Sequence, residues 1–150
     1  MAGEAYAVVM PSREDPLPGS CTCGTVRFQV TAPFSTAGYC HCTRCQRRTG
    51  SLWALSAVVD ADAFEVLEGA ESIRTYRPPD GWSKSFCGHC GGHLFAGDPE
   101  PGGKIGVRLG AVHGDPGIRP RWHQWVSSAP DWEPIPDDGL PRYPERREVD

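Results

Sequence analysis

The placement of the cysteines restricts this fold more than any other feature of the sequence. Seven cysteines among 150 residues fall into tight groups at residues 21–23, 40–45 and 87–90. The odd count leaves one thiol unpaired, and the absence of a secretory signal argues against an oxidising compartment, where disulfides persist. Closely spaced thiols are typical of metal sites, which also stabilise small domains with modest cores. We therefore expect bound metal rather than disulfides.

The first and third groups together supply four sulfurs. Cys21 and Cys23 alternate at a strand end and so share a face, while Cys87 and Cys90 form a Cys-X-X-Cys turn that contains glycine. Two such pairs make a tetrahedral all-thiolate set that suits zinc. We expect this closed site to be structural. A redox-active Cys87/Cys90 pair is the alternative, although no βαβ pattern surrounds it.

The middle group supplies three sulfurs, from Cys40, Cys42 and Cys45. The last two are spaced to share one face of the first turn of a short helix. Three protein ligands leave one position of a tetrahedral zinc open for water or substrate, so we expect an open, catalytic zinc site. The alternative is a second closed site in which a histidine completes the shell, the candidates being His41, His113 and His123.

Positive charges lie beside this open site. Arg44, Arg47 and Arg48 follow the middle cysteines directly, and they are candidates to bind the carboxylates of a thiol substrate such as glutathione. Lys84 and Arg108 are further candidates of the same kind. Solvated arginines on a short helix are the commoner reading of such charges.

Composition excludes two classes of partner. The formal net charge is -4 and the pI about 5.7, with the basic residues scattered, so we expect no nucleic-acid partner. The apolar run near the start, residues 5–10, is far shorter than the roughly 18 residues that a membrane span needs. We therefore expect no membrane partner and a cytoplasmic location.

The elements predicted from pattern are short. With 18 Gly and 15 Pro, the chain favours turns and short strands over long helices. The one predicted helix runs over 43–49 and ends at Gly50. The ranges 64–67 and 73–76 read as a hairpin-like pair. The other predicted strands cover 26–30, 52–59, 82–86, 93–95, 104–112 and 121–126.

These elements predict a single zinc domain at 17–145, with a flexible N-terminal arm at 1–16 and a C-terminal tail at 146–150. Five tryptophans in a small β protein indicate core packing. The bulky residues Leu52 and Trp53 follow the helix, and we expect them at the wall of the substrate pocket.

The sequence resembles the glutathione-dependent formaldehyde-activating enzyme family, which includes relatives of centromere protein V. The likeness is carried by the cysteine blocks at 19–24, 40–50 and 86–91 and by the tail at 122–144. Together these blocks extend over roughly residues 17 to 145 and contain all seven cysteines.

The resemblance implies a mainly β fold of several short antiparallel coiled sheets, a β-tent, with one short helix and two zinc staples. It implies a carbon-sulfur lyase that interconverts glutathione and formaldehyde with S-hydroxymethylglutathione, with His41 or a zinc-bound water as the acid. A non-catalytic zinc module that binds a thiol or a protein partner, through Trp53, Trp82 or Trp132, is the alternative. The oligomeric state stays open.

Overall fold

The computed structural model describes residues 8–148 and places ten strands and one α-helix within them. The helix is α1 (Thr43–Thr49). The strands are β1 (Leu17–Ser20), β2 (Arg27–Val30), β3 (Thr36–Cys40), β4 (Ala54–Asp60), β5 (Phe64–Glu68), β6 (Ile73–Tyr76), β7 (Lys84–Cys87), β8 (His93–Ala96), β9 (Lys104–Arg108) and β10 (His123–Gln124). This content confirms the predicted class, mainly β with one short helix.

The strands form two sheets. A three-stranded antiparallel sheet has the order β1-β2-β5, and a seven-stranded sheet has the order β10-β3-β4-β9-β8-β7-β6. All neighbours in the larger sheet are antiparallel except β10, which pairs with β3 in parallel. This parallel pair departs from the antiparallel arrangement that was predicted.

The hydrophobic core lies between the small sheet and one face of the large sheet. Phe28 of β2, Phe64 of β5 and Phe95 of β8 form a continuous aromatic contact, with ring centroids 5.2 and 4.8 Å apart. Ile105 and Val107 of β9 are completely buried in the same cluster. Alternation along each strand sends these side chains to the core and their neighbours to the opposite face.

The opposite face of the large sheet carries small residues. Gly38 of β3 and Gly106 of β9 lie on this face, and the rings of Trp122 and Trp82 pack over them. None of the five tryptophans belongs to the buried core, so the prediction that they report core packing is wrong. The rings of Trp82 and Trp122 instead lie on the surface of the sheet, where glycine leaves room for them.

The predicted helix over 43–49 is confirmed, and its ends show why it forms. Cys42 caps the N-terminus, where its sulfur accepts a hydrogen bond from the amide of Cys45 at 3.3 Å. Gly50 ends the helix in the left-handed region at φ 70°, which glycine adopts without the steric cost of a Cβ. The sequence therefore defines both ends of this short element.

The hairpin predicted for 64–67 and 73–76 is wrong. β5 pairs with β2 in the small sheet, whereas β6 pairs with β7 in the large one. Between them Gly69, at φ +78°, packs on the backbone of Thr25, and the 3₁₀ turn Ala70–Ser72 redirects the chain. The turn thus directs β6 into the large sheet, away from β5, and the two strands do not pair.

Two other strands are shorter than predicted. β9 ends at Arg108 because the 3₁₀ turn Leu109–Ala111 follows it. β10 contains only His123 and Gln124, because Trp125 adopts the left-handed conformation and leaves the ladder.

The predicted arm at 1–16 and tail at 146–150 remain predictions, since residues 1–7 and 149–150 lie outside the described residues. Pro11 is buried and β1 begins at Leu17. Within the described chain, no helix has the length and apolar character to cross a bilayer.

The contact between Gly38 and Trp122 generates a test of this packing. A Cβ at Gly38 would lie 2.3 Å from the Trp122 ring, so we expect Gly38→Ala to lower the free energy of unfolding by about 1–3 kcal/mol. Gly110→Ala is the matched control, because a Cβ there meets nothing within 4 Å. Urea unfolding measures both variants, and equal stability of the two would contradict the packing described.

Candidate metal centres

The four-cysteine cluster joins the two sheets. Cys21 and Cys23 follow β1 of the small sheet, Cys87 ends β7 of the large sheet, and Cys90 lies in the turn before β8. Their four sulfurs all lie within 4.8 Å of one another. The cluster thus brings together two segments that are more than sixty residues apart in sequence.

The geometry of this cluster fits a tetrahedral metal ion. The Cys21 and Cys23 sulfurs are 3.6 Å apart and the Cys23 and Cys87 sulfurs 3.9 Å apart. A tetrahedron with metal–sulfur bonds of about 2.3 Å has sulfur–sulfur edges of about 3.8 Å. These separations are far longer than a disulfide bond of about 2.05 Å, and all seven cysteines of the chain are free.

Backbone and hydroxyl groups support the sulfurs of this cluster. The amide of Val26 donates to the Cys21 sulfur at 3.3 Å, and the amide of His89 donates to the Cys87 sulfur at 3.4 Å. Backbone hydrogen bonds from Cys23 and Gly92 lower the pKa of the Cys90 thiol to about 6. Donors directed at sulfur favour its ionised form, which is the form that binds metal.

The three-cysteine cluster lies at the junction of β3 and α1. Cys40 is the last residue of β3, Cys42 caps the helix and Cys45 occupies its first turn. Their sulfurs also lie within 4.8 Å of one another, and Cys45 is buried. The strand end and the helix start therefore place three potential ligands around one point.

Hydrogen bonds within this cluster distribute its protons unevenly. Bonds from the Cys40 and Cys45 thiols, together with the amides of Cys45 and Arg44, lower the pKa of Cys42 to about 2. The shared hydrogen bond with Cys42 raises the pKa of Cys40. Cys42 is thus the sulfur that ionises first, and its ionised form is a ready metal ligand.

The histidines proposed as a fourth ligand are placed elsewhere. Among residues 8–148, no histidine joins either group of sulfurs. His113 Nε2 lies 2.8 Å from the Ser20 hydroxyl, and His41 Nε2 lies 2.8 Å from His123 Nδ1. The contacts observed for these histidines are therefore with other side chains.

His41 lines a small cavity on the side of β3 that faces away from the three cysteines. His41 and His123 are each 3% exposed, and His123 Nε2 lies 2.8 Å from the Asp138 carboxylate. This chain of side chains borders a cavity of about 130 Å³. Leu52 and Trp53 line that cavity as well, so their predicted place at the wall of the cysteine pocket is wrong. The position of His41 itself follows from alternation along the chain, because His41 comes directly after Cys40 and so projects from the opposite face.

The three cysteines open into a cleft of about 430 Å³ over the small-residue face of the large sheet. Arg48, Lys84 and Arg108 line this cleft. None of the three forms an ion pair with a carboxylate among the described residues. Burial lowers the pKa of each, while the nearby thiolates of the cysteine cluster oppose that shift. The cleft therefore holds, beside its sulfurs, cations that pair with no carboxylate among the described residues.

The arginines singled out from the sequence have different positions. Arg48 lines the cleft without an acidic partner. Arg44 lines it too, but its guanidinium bonds the Asp80 carboxylate at 2.7 Å. Arg47 is exposed and is not among the residues that line the cleft.

Several residues of these sites carried no signal in the sequence. Ser56 accepts a hydrogen bond from Arg108 at 2.9 Å, and Asp80 neutralises Arg44. Asp138 lies in a proline-rich segment without periodicity, and only its contact with His123 reveals its role. Pairings between distant segments of this kind depend on the fold and not on local pattern.

Comparison with known proteins places these features in context. Residues 16–128 match the profile of the family described as "glutathione-dependent formaldehyde-activating enzyme". A protein of Halomonas elongata, provisionally named glutathione-dependent formaldehyde-activating enzyme, is 32% identical over 127 residues, which cover 79% of this chain and 80% of the relative. A protein of Penicillium rubens with the same provisional name is 31% identical over 77 residues, covering 50% of this chain and 40% of the relative.

A solved structure shares the fold. The crystal structure of a Rhodobacter sphaeroides protein, a structural genomics target, superposes with a TM-score of 0.54 at 25% identity. The match covers 83% of this chain and 98% of that protein.

The contact of Asp138 with the buried histidine pair predicts that Asp138 stabilises the fold more than its neighbour Asp137 does. We expect Asp138→Asn to lower the urea midpoint of unfolding, because it removes the negative charge that faces buried His123. Asp137→Asn is the matched control, since Asp137 is exposed and forms no ion pair with the described residues. Equal midpoints for the two variants would show that the Asp138–His123 contact does not stabilise the fold.

Proposed function

Because the chain belongs to the glutathione-dependent formaldehyde-activating enzyme family, we propose that it adds a small thiol to an aldehyde, and cleaves the adduct, in the cleft at Cys40, Cys42 and Cys45. One observation carries this proposal. Three sulfurs, one fewer than a closed tetrahedral site contains, face a cleft that also holds cations without carboxylate partners among the described residues. A closed structural site would need neither feature.

Two zinc ions fit the sulfurs of the chain. The closed site would use Cys21, Cys23, Cys87 and Cys90, and the open site would use Cys40, Cys42 and Cys45. The all-thiolate donor sets suit zinc, and so do the sulfur separations of the four-cysteine cluster, which are close to a tetrahedral edge. When bound at the open site, zinc supplies a Lewis acid that lowers the pKa of a thiol presented to its free corner.

The cations of the cleft account for the choice of thiol. Arg48, Lys84 and Arg108 lie near the cysteine cluster without acidic partners among the described residues. A carboxylate on the thiol would neutralise this charge and hold the sulfur in place. Glutathione, which carries carboxylates as well as a thiol, has the required chemistry.

The reaction itself needs no other reactant. In the forward direction the thiol sulfur bonds to the carbonyl carbon, the C=O π pair moves to oxygen, and the thiol proton is transferred to that oxygen. Lys84 lines the cleft near the cysteine cluster, where its ammonium group can stabilise the charge that develops on oxygen. His41, an acid suggested by the sequence, lines the opposite cavity, so we exclude it from this step.

Kinetics test the proposal directly. We expect the zinc-loaded protein to accelerate exchange between glutathione, formaldehyde and S-hydroxymethylglutathione above the uncatalysed rate, as measured by NMR exchange spectroscopy. Retention of two zinc ions without any acceleration would contradict a lyase and would favour a non-catalytic zinc module.

The two cysteine clusters predict different responses to mutation. We expect Cys87→Ser to unfold the domain, because a structural zinc contributes on the order of 10 kcal/mol to folding. Cys42→Ser should retain the fold, lose one zinc and abolish the activity. Circular dichroism and zinc content measure the two effects. If both variants unfold, or both stay folded, the division into a structural and an open site is wrong.

The cleft arginines provide a test of substrate binding. We expect Arg108→Gln to lower kcat/KM for glutathione about 10- to 100-fold, because an ionic hydrogen bond of about 1.5–3 kcal/mol is lost. Arg44→Gln is the matched control, since Asp80 already neutralises Arg44. A similar loss in both variants would show that Arg108 has no particular role in binding the thiol.

A further inference from the structure

The outer part of the cysteine cleft is aromatic. Trp82, Trp122 and Trp125 line the same cleft as the sulfurs, and we call these three residues the tryptophan rim. The rim borders the glycine-containing floor of the sheet, and Lys84 and Arg147 lie beside two of its rings. The cleft therefore combines aromatic rings with cations along the sheet.

The sheet holds two of the rim residues in fixed positions. The Trp122 ring packs on Gly38 and its indole N–H donates to the Thr36 hydroxyl at 2.8 Å. The Arg147 guanidinium lies 5.3 Å from the centroid of the same ring. The Trp82 ring lies over the two glycines Gly97 and Gly106, yet it remains 38% exposed. Trp82 is therefore a prearranged ring that keeps an exposed surface, whereas the Trp122 ring is packed between Gly38 and Arg147.

The backbone at the third rim residue is strained. Trp125 adopts φ 57°, the one positive φ of a non-glycine residue among the described residues. A left-handed conformation is costly for a bulky residue, and such strain concentrates at binding sites. The strain places an aromatic side chain on the cleft, which a glycine at the same backbone turn would not do.

The floor between the rings is wide and carries small side chains. Gly38 on β3 and Gly106 on β9 are separated by β4 and by two residues along the strands, which corresponds to roughly 12 Å. Ala54 of β4 and Ala96 of β8 also line this floor, while Ser56 of β4 accepts the hydrogen bond from Arg108. A flat group can therefore rest on the sheet between the two tryptophans.

We propose that the tryptophan rim binds a flat apolar group carried on the aldehyde-derived carbon of the adduct, so that the substrate class is an adduct of a larger, apolar aldehyde. This inference rests on the proposed function. Arg48 and Arg108, which lie beside the sulfurs, hold the carboxylates of the thiol, and the aromatic rings are left to the second substituent on sulfur. A hydroxymethyl group, with two heavy atoms, is too small to contact both rings.

Stable thioethers test the rim without any catalysis. We expect the zinc-loaded full-length protein to bind S-benzylglutathione about tenfold more tightly than S-methylglutathione in calorimetry, because a stacked ring adds aromatic contact as well as buried apolar area. Trp82→Leu should remove most of this preference. Trp132→Leu is the matched control, since Trp132 is 75% exposed and is not among the residues that line the cleft.

The outcomes separate this inference from the proposed function. A benzyl preference without lyase activity towards formaldehyde or benzaldehyde would support the rim and contradict the reaction. Equal affinities of the two thioethers, or no binding of either, would overturn the rim, whatever the kinetics show. A benzyl preference that survives Trp82→Leu would also overturn the rim. If that variant does not fold, the ratio of the wild-type affinities for the two thioethers decides the question.

Discussion

The convergence of sulfurs from distant segments is the constraint on which the rest of this structure depends. Cys21 and Cys23 follow a strand of the small sheet and contact Cys87 and Cys90 at the end of the large one. The Cys23 sulfur lies 3.6 Å from that of Cys21 and 3.9 Å from that of Cys87. These separations fit one shared ion. An ion bound there would join two sheets whose own strands are mostly four or five residues long.

The large sheet assigns different tasks to its two faces. One face packs Phe95, Ile105 and Val107 against the small sheet. The opposite face carries the small residues Gly38, Ser56 and Gly106, and these leave room for a cleft beside the three-cysteine cluster. Since alternate residues of a strand serve opposite faces, the core and the cleft are built by the same strands. A register shift of one residue would destroy both.

Local pattern predicted much of this arrangement but not its long-range pairings. The helix at 43–49 was predictable because Cys42 and Gly50 are strong end signals. Both cysteine clusters followed from spacing alone. The hairpin at 64–76 was wrong because the turn at Gly69 depends on a contact with Thr25. The tryptophans were misplaced because the room above Gly38 and Gly106 becomes visible only when the strands are aligned.

The central claim is that four sulfurs enclose one zinc and three sulfurs hold another with an open corner. X-ray absorption at the zinc edge, combined with the metal content of the purified protein, tests it most directly. The account predicts two zinc ions per chain and a mean of 3.5 sulfurs per zinc at about 2.3 Å. It also predicts one oxygen or nitrogen ligand at the three-cysteine site, which appears as a mean of one half per zinc. A single zinc per chain, or a first shell that contains imidazole nitrogen, would contradict it.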